Sequence, residues 1–179
     1  MTPRELEEYR ALRDTIRERS TARVWVAYTG LTAWAALALA TATLAELPIA
    51  TFIPLLVVSL VFEVVFALHT GVERIGRYIQ VFFEDSTADR GWEHQAMAYG
   101  KEFPGRGSDP LFGRFFLLAI ALNVLPAALA DPVPLEWAVV GLGHAIGLAR
   151  LLLARREAGQ QRGLDLERFR QLKRTNPVG

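Results

Sequence analysis

The chain has 179 residues, a net charge near +1 and no cysteine, and 51% of its residues are hydrophobic. This length suits a single domain or a small helical bundle. The lack of cysteine excludes a disulfide framework, zinc ribbons, iron–sulfur clusters and thiol catalysis. A net charge near zero argues against a nucleic-acid partner, which would require a basic excess.

The first predicted element is an amphipathic helix over residues 3–22. Thr2 is a candidate cap, Pro3 fits the first helical position, and Glu5 completes a capping box. Apolar side chains then recur at helical spacing among charges, at Leu6, Tyr9, Leu12 and Ile16. Such a helix either packs its apolar face on partner helices or lies flat on a membrane surface.

Four apolar blocks follow, and each is long enough to cross a bilayer. Residues 24–45 carry no charge, and a helix of that length rises about 33 Å, against a hydrocarbon core of roughly 30 Å. The second block, 49–69, is interrupted only by Glu63, and the other two are 111–130 and 135–154. Soluble helices of this length would be amphipathic. The sequence therefore predicts an all-α polytopic membrane protein with four transmembrane helices and cytoplasmic helical extensions.

The distribution of basic residues predicts the orientation. All 20 Lys and Arg residues lie in the segments 1–23, 70–114 and 150–179, and the short connections Glu46–Pro48 and Asp131–Pro134 carry none. Cytoplasmic loops are enriched in Lys and Arg. We therefore expect a multi-pass protein of the cytoplasmic (inner) membrane with both termini in the cytoplasm.

Two further cytoplasmic helices are predicted, together with a long loop. Apolar residues keep a 3–4 spacing after the second span, which predicts a helix over residues 70–84, and a narrower stripe predicts another over 164–174. With the N-terminal helix these would form a small cytoplasmic bundle. The loop 85–110 contains a candidate short helix at Trp92–Tyr99, and Asp109 followed by proline is a start signal for the third span.

Charged and polar residues inside the spans predict an intramembrane polar cluster. Glu63 lies roughly 9 Å inside its span, where a carboxylate costs about 2.5–3.5 kcal/mol unless it is paired or protonated. Arg150 lies at nearly the same depth, which predicts an ion pair with a structural, ion-conducting or ligand-anchoring role. The other members of the predicted cluster are Tyr28, Asn123 and His144.

The segment after the second span predicts a candidate surface in the cytoplasm. His69 and Glu73 lie four residues apart on one helix face, as metal ligands can, but a solvated charged face is the favoured interpretation and no metal site is predicted. Glu73 is also spaced to pair with Arg77. The predicted surface consists of His69, Glu73, Arg74, Arg77, Tyr78, Glu84 and Trp92.

These features favour a non-enzymatic membrane protein that acts through assembly and recognition of a cytoplasmic partner. No nucleotide-binding glycine loop, nucleophile elbow or HExxH motif is present, so no catalytic residues are predicted. Haem binding is not expected because His69 and His144 lie at different depths, whereas bound membrane lipid and a homo-oligomer or larger membrane assembly are expected. Two alternatives stay open: an oligomeric ion channel or proton-coupled transporter centred on Glu63, and a membrane enzyme with a site near His69, Glu73 and Glu84.

Overall fold

The computed structural model describes residues 1–44, 46–84, 91–103 and 109–175. Within these ranges all regular structure is helical and no strand is present, which confirms the all-α class. The elements, in chain order, are α1 (Pro3–Leu44), a 3-10 turn (Pro48–Thr51), α2 (Phe52–Phe82), α3 (Trp92–Glu102), α4 (Gly113–Leu122), α5 (Leu125–Leu129) and α6 (Pro134–Thr175).

The predicted cytoplasmic helices are continuations of the long helices. α1 joins the amphipathic segment to the first apolar block over 42 residues, and α6 has the same length and includes the predicted helix 164–174. α2 extends beyond the second apolar block and ends at Phe82, two residues before the predicted end at Glu84. Proline breaks a helix interior, and in each long helix the only proline lies in the first turn. Nothing in these segments therefore interrupts the helical hydrogen bonds.

The capping box predicted at the start of α1 is confirmed. The backbone N–H of Glu5 donates to Thr2 Oγ1 at 3.3 Å, and the backbone N–H of Thr2 donates to Glu5 Oε2 at 2.6 Å. A related contact precedes α6, where the backbone N–H of Val133 donates to Glu136 Oε2 at 3.0 Å. Both side chains satisfy donors that the first turn of a helix leaves without an intrahelical acceptor.

The third apolar block, expected to form a span over residues 111–130, consists of two short helices and not one continuous helix. α4 has 10 residues and α5 has five, and a turn at Asn123 and Val124 separates them. Pro126 has no N–H to donate, and its ring clashes with the carbonyl of residue 122 in a continuous helix. Within the described ranges, three helices are long and apolar enough to cross a membrane: Pro3–Leu44, Pro48–Phe82 and Pro134–Thr175. These helices indicate a membrane protein.

Asp109 binds backbone N–H groups just before α4, but it is not the N-cap of that helix, which begins later than the sequence signal predicts. Its carboxylate accepts hydrogen bonds from the backbone N–H groups of Leu111 (3.2 Å) and Gly113 (2.8 Å) and also pairs with Arg155. Phe112 adopts the left-handed conformation, with φ of 50°, which is unusual for a bulky residue. α4 therefore begins only at Gly113.

The chain forms two compact units. The apolar unit comprises Arg23–Ala67 and Asp109–Arg156, and the polar unit comprises Met1–Ala22, Leu68–Ser108 and Glu157–Gly179. These boundaries fall beside the cytoplasmic ends that the sequence predicts for the apolar blocks. Ala45 and most of the irregular parts of the loop 85–110, including the expected helix stop after Glu84, lie outside the described residues.

The apolar unit has a core of aliphatic and aromatic side chains. Phe62 on α2 meets Phe116 on α4 edge to face, with ring centroids 5.3 Å apart. α1 approaches α2 at Gly30, where a Cβ would collide with Val61. The outward surface is also apolar, with side chains more than 60% exposed at Leu39, Leu56, Leu142 and Ile146. Exposed apolar surface of this kind marks contact with lipid or with another protein.

Candidate functional site

Helix α3 is attached to the polar unit through Glu84, which follows the end of α2. The carboxylate of Glu84 accepts hydrogen bonds from the backbone N–H groups of Glu93 and His94, each at 3.1 Å. It caps the N-terminus of α3 in place of Gly91, and the helix dipole favours a carboxylate there. A Cβ on residue 91 would collide with Glu84. Glycine at this position therefore permits the cap.

A second attachment of α3 is the carboxylate of Glu93, a residue only 8% exposed. Its Oε1 accepts a hydrogen bond from Arg13 Nη1 at 2.6 Å, and its Oε2 lies 3.6 Å from Arg77 Nη2. Arg77 Nη1 also donates to Gln80 Oε1 at 2.8 Å. α2 leaves room for this carboxylate at Gly76, where a Cβ would lie 2.8 Å from Glu93 Oε2. Two guanidinium groups, from α1 and α2, thus compensate the buried charge.

Burial and pairing act in opposite directions on the two arginines. Burial lowers the pKa of Arg77, and the nearby carboxylates of Glu73 and Glu93 offset only part of this effect. Burial also lowers the pKa of Arg13, but hydrogen bonds with Tyr9 and Glu93 outweigh it and the net change is upward. Because arginine stays protonated in proteins, both side chains remain cations.

A pocket of about 700 Å³, here called the α3 groove, lies within the polar unit. Helices α1, α2, α3 and α6 all contribute to its lining. The basic residues of the groove are Arg13, Arg77, Lys101 and Arg162, and its acidic residues are Glu73 and Glu93. Apolar and small residues complete the lining, among them Ile16, Val72, Ala96, Met97 and Gly100. Trp92 also lines it and is 70% exposed. Pockets of this size accept drug-sized molecules.

Three of the seven residues of the predicted surface line the α3 groove: Glu73, Arg77 and Trp92. Glu73 pairs with Arg162, whose Nε lies 2.7 Å from Glu73 Oε2. Arg77, its expected partner at i,i+4, instead lies beside Glu93 and Gln80.

The other four residues of the predicted surface lie elsewhere in the polar unit. His69 is only 4% exposed and borders a crevice with Asp165, which also accepts a hydrogen bond from Arg74 Nε at 3.1 Å. The hydroxyl of Tyr78 donates to Glu8 Oε1 at 2.9 Å, and burial together with this hydrogen bond raises the pKa of Tyr78. The fourth residue, Glu84, caps α3. The predicted surface is thus divided among several local contacts.

The predicted surface does not include four charged residues of the groove: Arg13, Glu93, Lys101 and Arg162. Arg13 and Lys101 each stand beside another charged residue in the sequence, where a solvated face is the simplest interpretation. Two glycines were the sequence feature that could have located the groove. Gly76 permits another helix to approach α2 closely, and Gly91 lies two residues before the buried Glu93. Spacing alone does not say which helix approaches.

The apolar unit contains the ion pair predicted between Glu63 and Arg150. Arg150 Nε lies 2.6 Å from Glu63 Oε1, and Arg150 Nη2 donates to Glu63 Oε2 at 2.8 Å. The guanidinium carbon also lies 5.0 Å from the centroid of the Phe66 ring. A two-point contact of this kind is the strong form of an ion pair, and the aromatic face adds a cation–π contact.

Asn123 and His144 meet in a second polar group of the apolar unit. Trp34 Nε1 donates to Asn123 Oδ1 at 3.0 Å, and Asn123 Nδ2 lies 2.9 Å from the carbonyl oxygen of Thr51 and 3.0 Å from His144 Nε2. The indole N–H can only donate, so the amide orientation is determined and His144 Nε2 must accept. His144 Nδ1 then carries the proton and donates to the carbonyl oxygen of Val140 at 2.8 Å.

Tyr28 does not join either polar group. Tyr28 is 66% exposed, and its ring packs edge to face on Trp25 with ring centroids 6.3 Å apart. The structure therefore brings together Glu63 with Arg150 and Asn123 with His144, and it leaves Tyr28 at the surface. An aromatic pair exposed at one end of an apolar segment is typical of a membrane interface.

In the described parts of the chain, no group of three His, Cys, Asp or Glu residues is arranged to hold a metal ion. Comparisons with protein-family models, with curated proteins and with solved structures found no match to this chain.

Proposed function

We propose that this chain is a non-enzymatic membrane protein that recognises a partner molecule in the α3 groove. The observation that carries the proposal is the groove itself, a pocket of about 700 Å³ lined by four helices. Buried ion pairs and the Glu84 cap hold its walls in place. Rigid elements that present a short helix beside a pocket are suited to binding.

The proposal includes the membrane topology expected from the sequence. The apolar unit spans the cytoplasmic membrane with the three long helices and the α4–α5 pair, and both termini are cytoplasmic. The concentration of all Lys and Arg residues in three segments supports this orientation. On this topology the polar unit, with the α3 groove, faces the cytoplasm.

Two observations favour recognition over the alternatives. The carboxylate of Glu63 is engaged by both nitrogens of the Arg150 fork, which supports a structural role rather than proton or ion transfer. His69 and Glu73 border the same crevice, whereas Glu84 caps α3, and a catalytic centre built on all three would need them to converge. Assembly with further copies or other membrane proteins remains part of the proposal, supported by the apolar outward surface.

A substitution that fills the groove tests the proposal. A Cβ on Gly100 would meet no atom within 4 Å, and the same holds for Gly159 on α6, which does not line the groove. Phe introduced at Gly100 should therefore occupy groove space without disturbing the fold, and Gly159→Phe is the matched control.

The measurement is native mass spectrometry of the full chain purified from its host in mild detergent. Wild type and Gly159→Phe should carry a bound species that Gly100→Phe lacks, while all three give the same circular dichroism spectrum. The same bound species on all three proteins, or none on wild type, would overturn the proposal.

A further inference from the structure

We infer that the α3 groove binds a phosphate monoester attached to an apolar group, with the phosphate at the basic residues and the apolar group along the aliphatic wall. This inference rests on the proposed function, because it names the ligand class of the same groove. The observations behind it are the charges of the lining, the state of each charged group, and the apolar part of the wall.

The lining has two more basic than acidic side chains, and both carboxylates are already paired. Glu93 lies between Arg13 and Arg77, and Glu73 pairs with Arg162. Each carboxylate of the lining thus has a basic neighbour, and Arg13 also contacts the carboxylate of Glu84 at 3.5 Å. The groove thus presents positive charge to a ligand, in surroundings that are partly shielded from water and strengthen electrostatic attraction.

Several cationic donors remain open to a ligand. Among the described residues, the ammonium of Lys101 has no ion-pair or hydrogen-bond partner. The Arg162 side chain is 43% exposed although its Nε contacts Glu73, so its terminal nitrogens are accessible. Donors on two different helices, α3 and α6, suit an anion that has several oxygens.

The number of accessible donors favours phosphate over carboxylate. A phosphate monoester carries about −1.5 to −2 at pH 7 and has three strong acceptor oxygens, whereas a carboxylate carries −1 and has two. The groove offers a phosphate group the unpaired ammonium of Lys101 and the partly exposed side chain of Arg162. Arg and Lys from separate helices can each bond a different phosphate oxygen.

The remaining lining explains why the ligand should also have an apolar part. Ile16, Val72 and Met97 give the groove an aliphatic part of its lining, and Trp92 adds a largely exposed indole. Methionine adapts its shape to an apolar ligand, and tryptophan combines a large apolar face with an N–H donor. An inorganic ion would leave this part of the groove unused.

Binding to the full chain in maltoside micelles is measured by isothermal titration calorimetry with four probes. Dihexanoyl phosphatidic acid represents a lipid source, 1-naphthyl phosphate represents a soluble source, dihexanoylglycerol lacks the phosphate, and inorganic phosphate lacks the apolar group. At least one of the first two should bind saturably at one site per chain, and the last two should bind at least tenfold more weakly. The tighter of the two phosphate monoesters identifies the source.

Lys101→Gln should weaken binding of the phosphate monoester about tenfold, the loss expected for one charged hydrogen bond. Arg168→Gln is the control, because it removes the same charge as Lys101→Gln. Arg168 is exposed on α6 and does not line the groove. This control should change the affinity less than twofold, as should Gly159→Phe, whereas Gly100→Phe should abolish binding.

Equal binding of dihexanoylglycerol, or an equal effect of Lys101→Gln and Arg168→Gln, would overturn the phosphate assignment. If neither phosphate monoester binds but native mass spectrometry still shows a species that Gly100→Phe removes, the ligand class is wrong and the proposed function stands. If Gly100→Phe affects neither measurement, both proposals fail.

Discussion

Single buried polar side chains organise each unit of this protein. Asn123 in the apolar unit is fully buried and Glu93 in the polar unit is 8% exposed. Each is bonded by side chains from two other helices, as buried polar groups require. Removing either side chain leaves its partners buried without hydrogen bonds, which costs more than the bonds themselves contribute.

Asn123→Leu should lower the free energy of unfolding by about 3 kcal/mol, because the Trp34 N–H and the Thr51 carbonyl would lose their partner. The measurement is thermal unfolding in detergent, followed by circular dichroism. Leu125→Ala, at a residue that is 56% exposed, is the control and should have little effect. An unchanged melting temperature for Asn123→Leu would contradict the hydrogen-bond assignment.

The pair of Glu63 and Arg150 leads to a prediction about coupling. Glu63→Leu and Arg150→Leu should each destabilise the protein, because each leaves one charge without its partner in an apolar segment. The double variant should recover part of the combined loss, which thermal unfolding in detergent would show. Strictly additive shifts would argue against the contact.

Tyr78 contributes to the stability of the folded chain, and this contribution is lost at alkaline pH. Its pKa is raised in the folded protein by burial and by the hydrogen bond with Glu8, so the contribution is fully present below the ordinary tyrosine pKa of about 10. As pH rises further the unfolded chain ionises first, and the contribution is lost as pH passes through the folded pKa. The stability difference between wild type and Tyr78→Phe should therefore shrink above about pH 10. A difference that stays constant from pH 8 to 11 would contradict this account.

At the scale of helices, the sequence predicts the features that residues close together in the chain determine, such as helix starts and apolar length. Helical spacing and capping residues predicted the start of α1, and apolar length predicted the three long helices. Pro126 is evident in the sequence, but the interruption between α4 and α5 was not predicted. Membrane helices sometimes tolerate a proline within an apolar block, so its presence alone did not indicate a break. The cap of α3 was not predictable from a short motif, since its acceptor, Glu84, lies nine residues before Glu93.

Glu84→Ala should loosen α3 while leaving α2 intact, because the first turn of α3 would lose the acceptor for two backbone N–H groups. Hydrogen exchange followed by mass spectrometry should show faster exchange across Trp92–Glu102 and unchanged exchange in the first half of α2. Glu7→Ala, on the exposed side of α1, should leave both unchanged. Retained protection of α3 in Glu84→Ala would show that Glu93 alone holds the helix.

For the whole molecule, hydropathy and charge predicted the class of protein better than the site. Apolar length is a local property and is visible along the chain. The α3 groove brings together Arg13, Glu93 and Arg162, which lie far apart in the sequence and meet only through helix packing. Ion pairs between distant residues leave no periodic pattern, so the groove could be located only in the folded structure.

The proposed topology is the prediction that concerns the whole chain. Because the natural sequence contains no cysteine, each single-cysteine variant carries one thiol that an impermeant reagent can label. Cysteines at Glu46 and Asp131 should react in intact cells, since the connections that hold them carry no basic residues and are expected outside. Cysteines at Arg10 and Gln95 should react only after the cells are lysed. Labelling of the Gln95 variant in intact cells would place α3 on the outer side, and the α3 groove would then have to recognise an extracytoplasmic ligand.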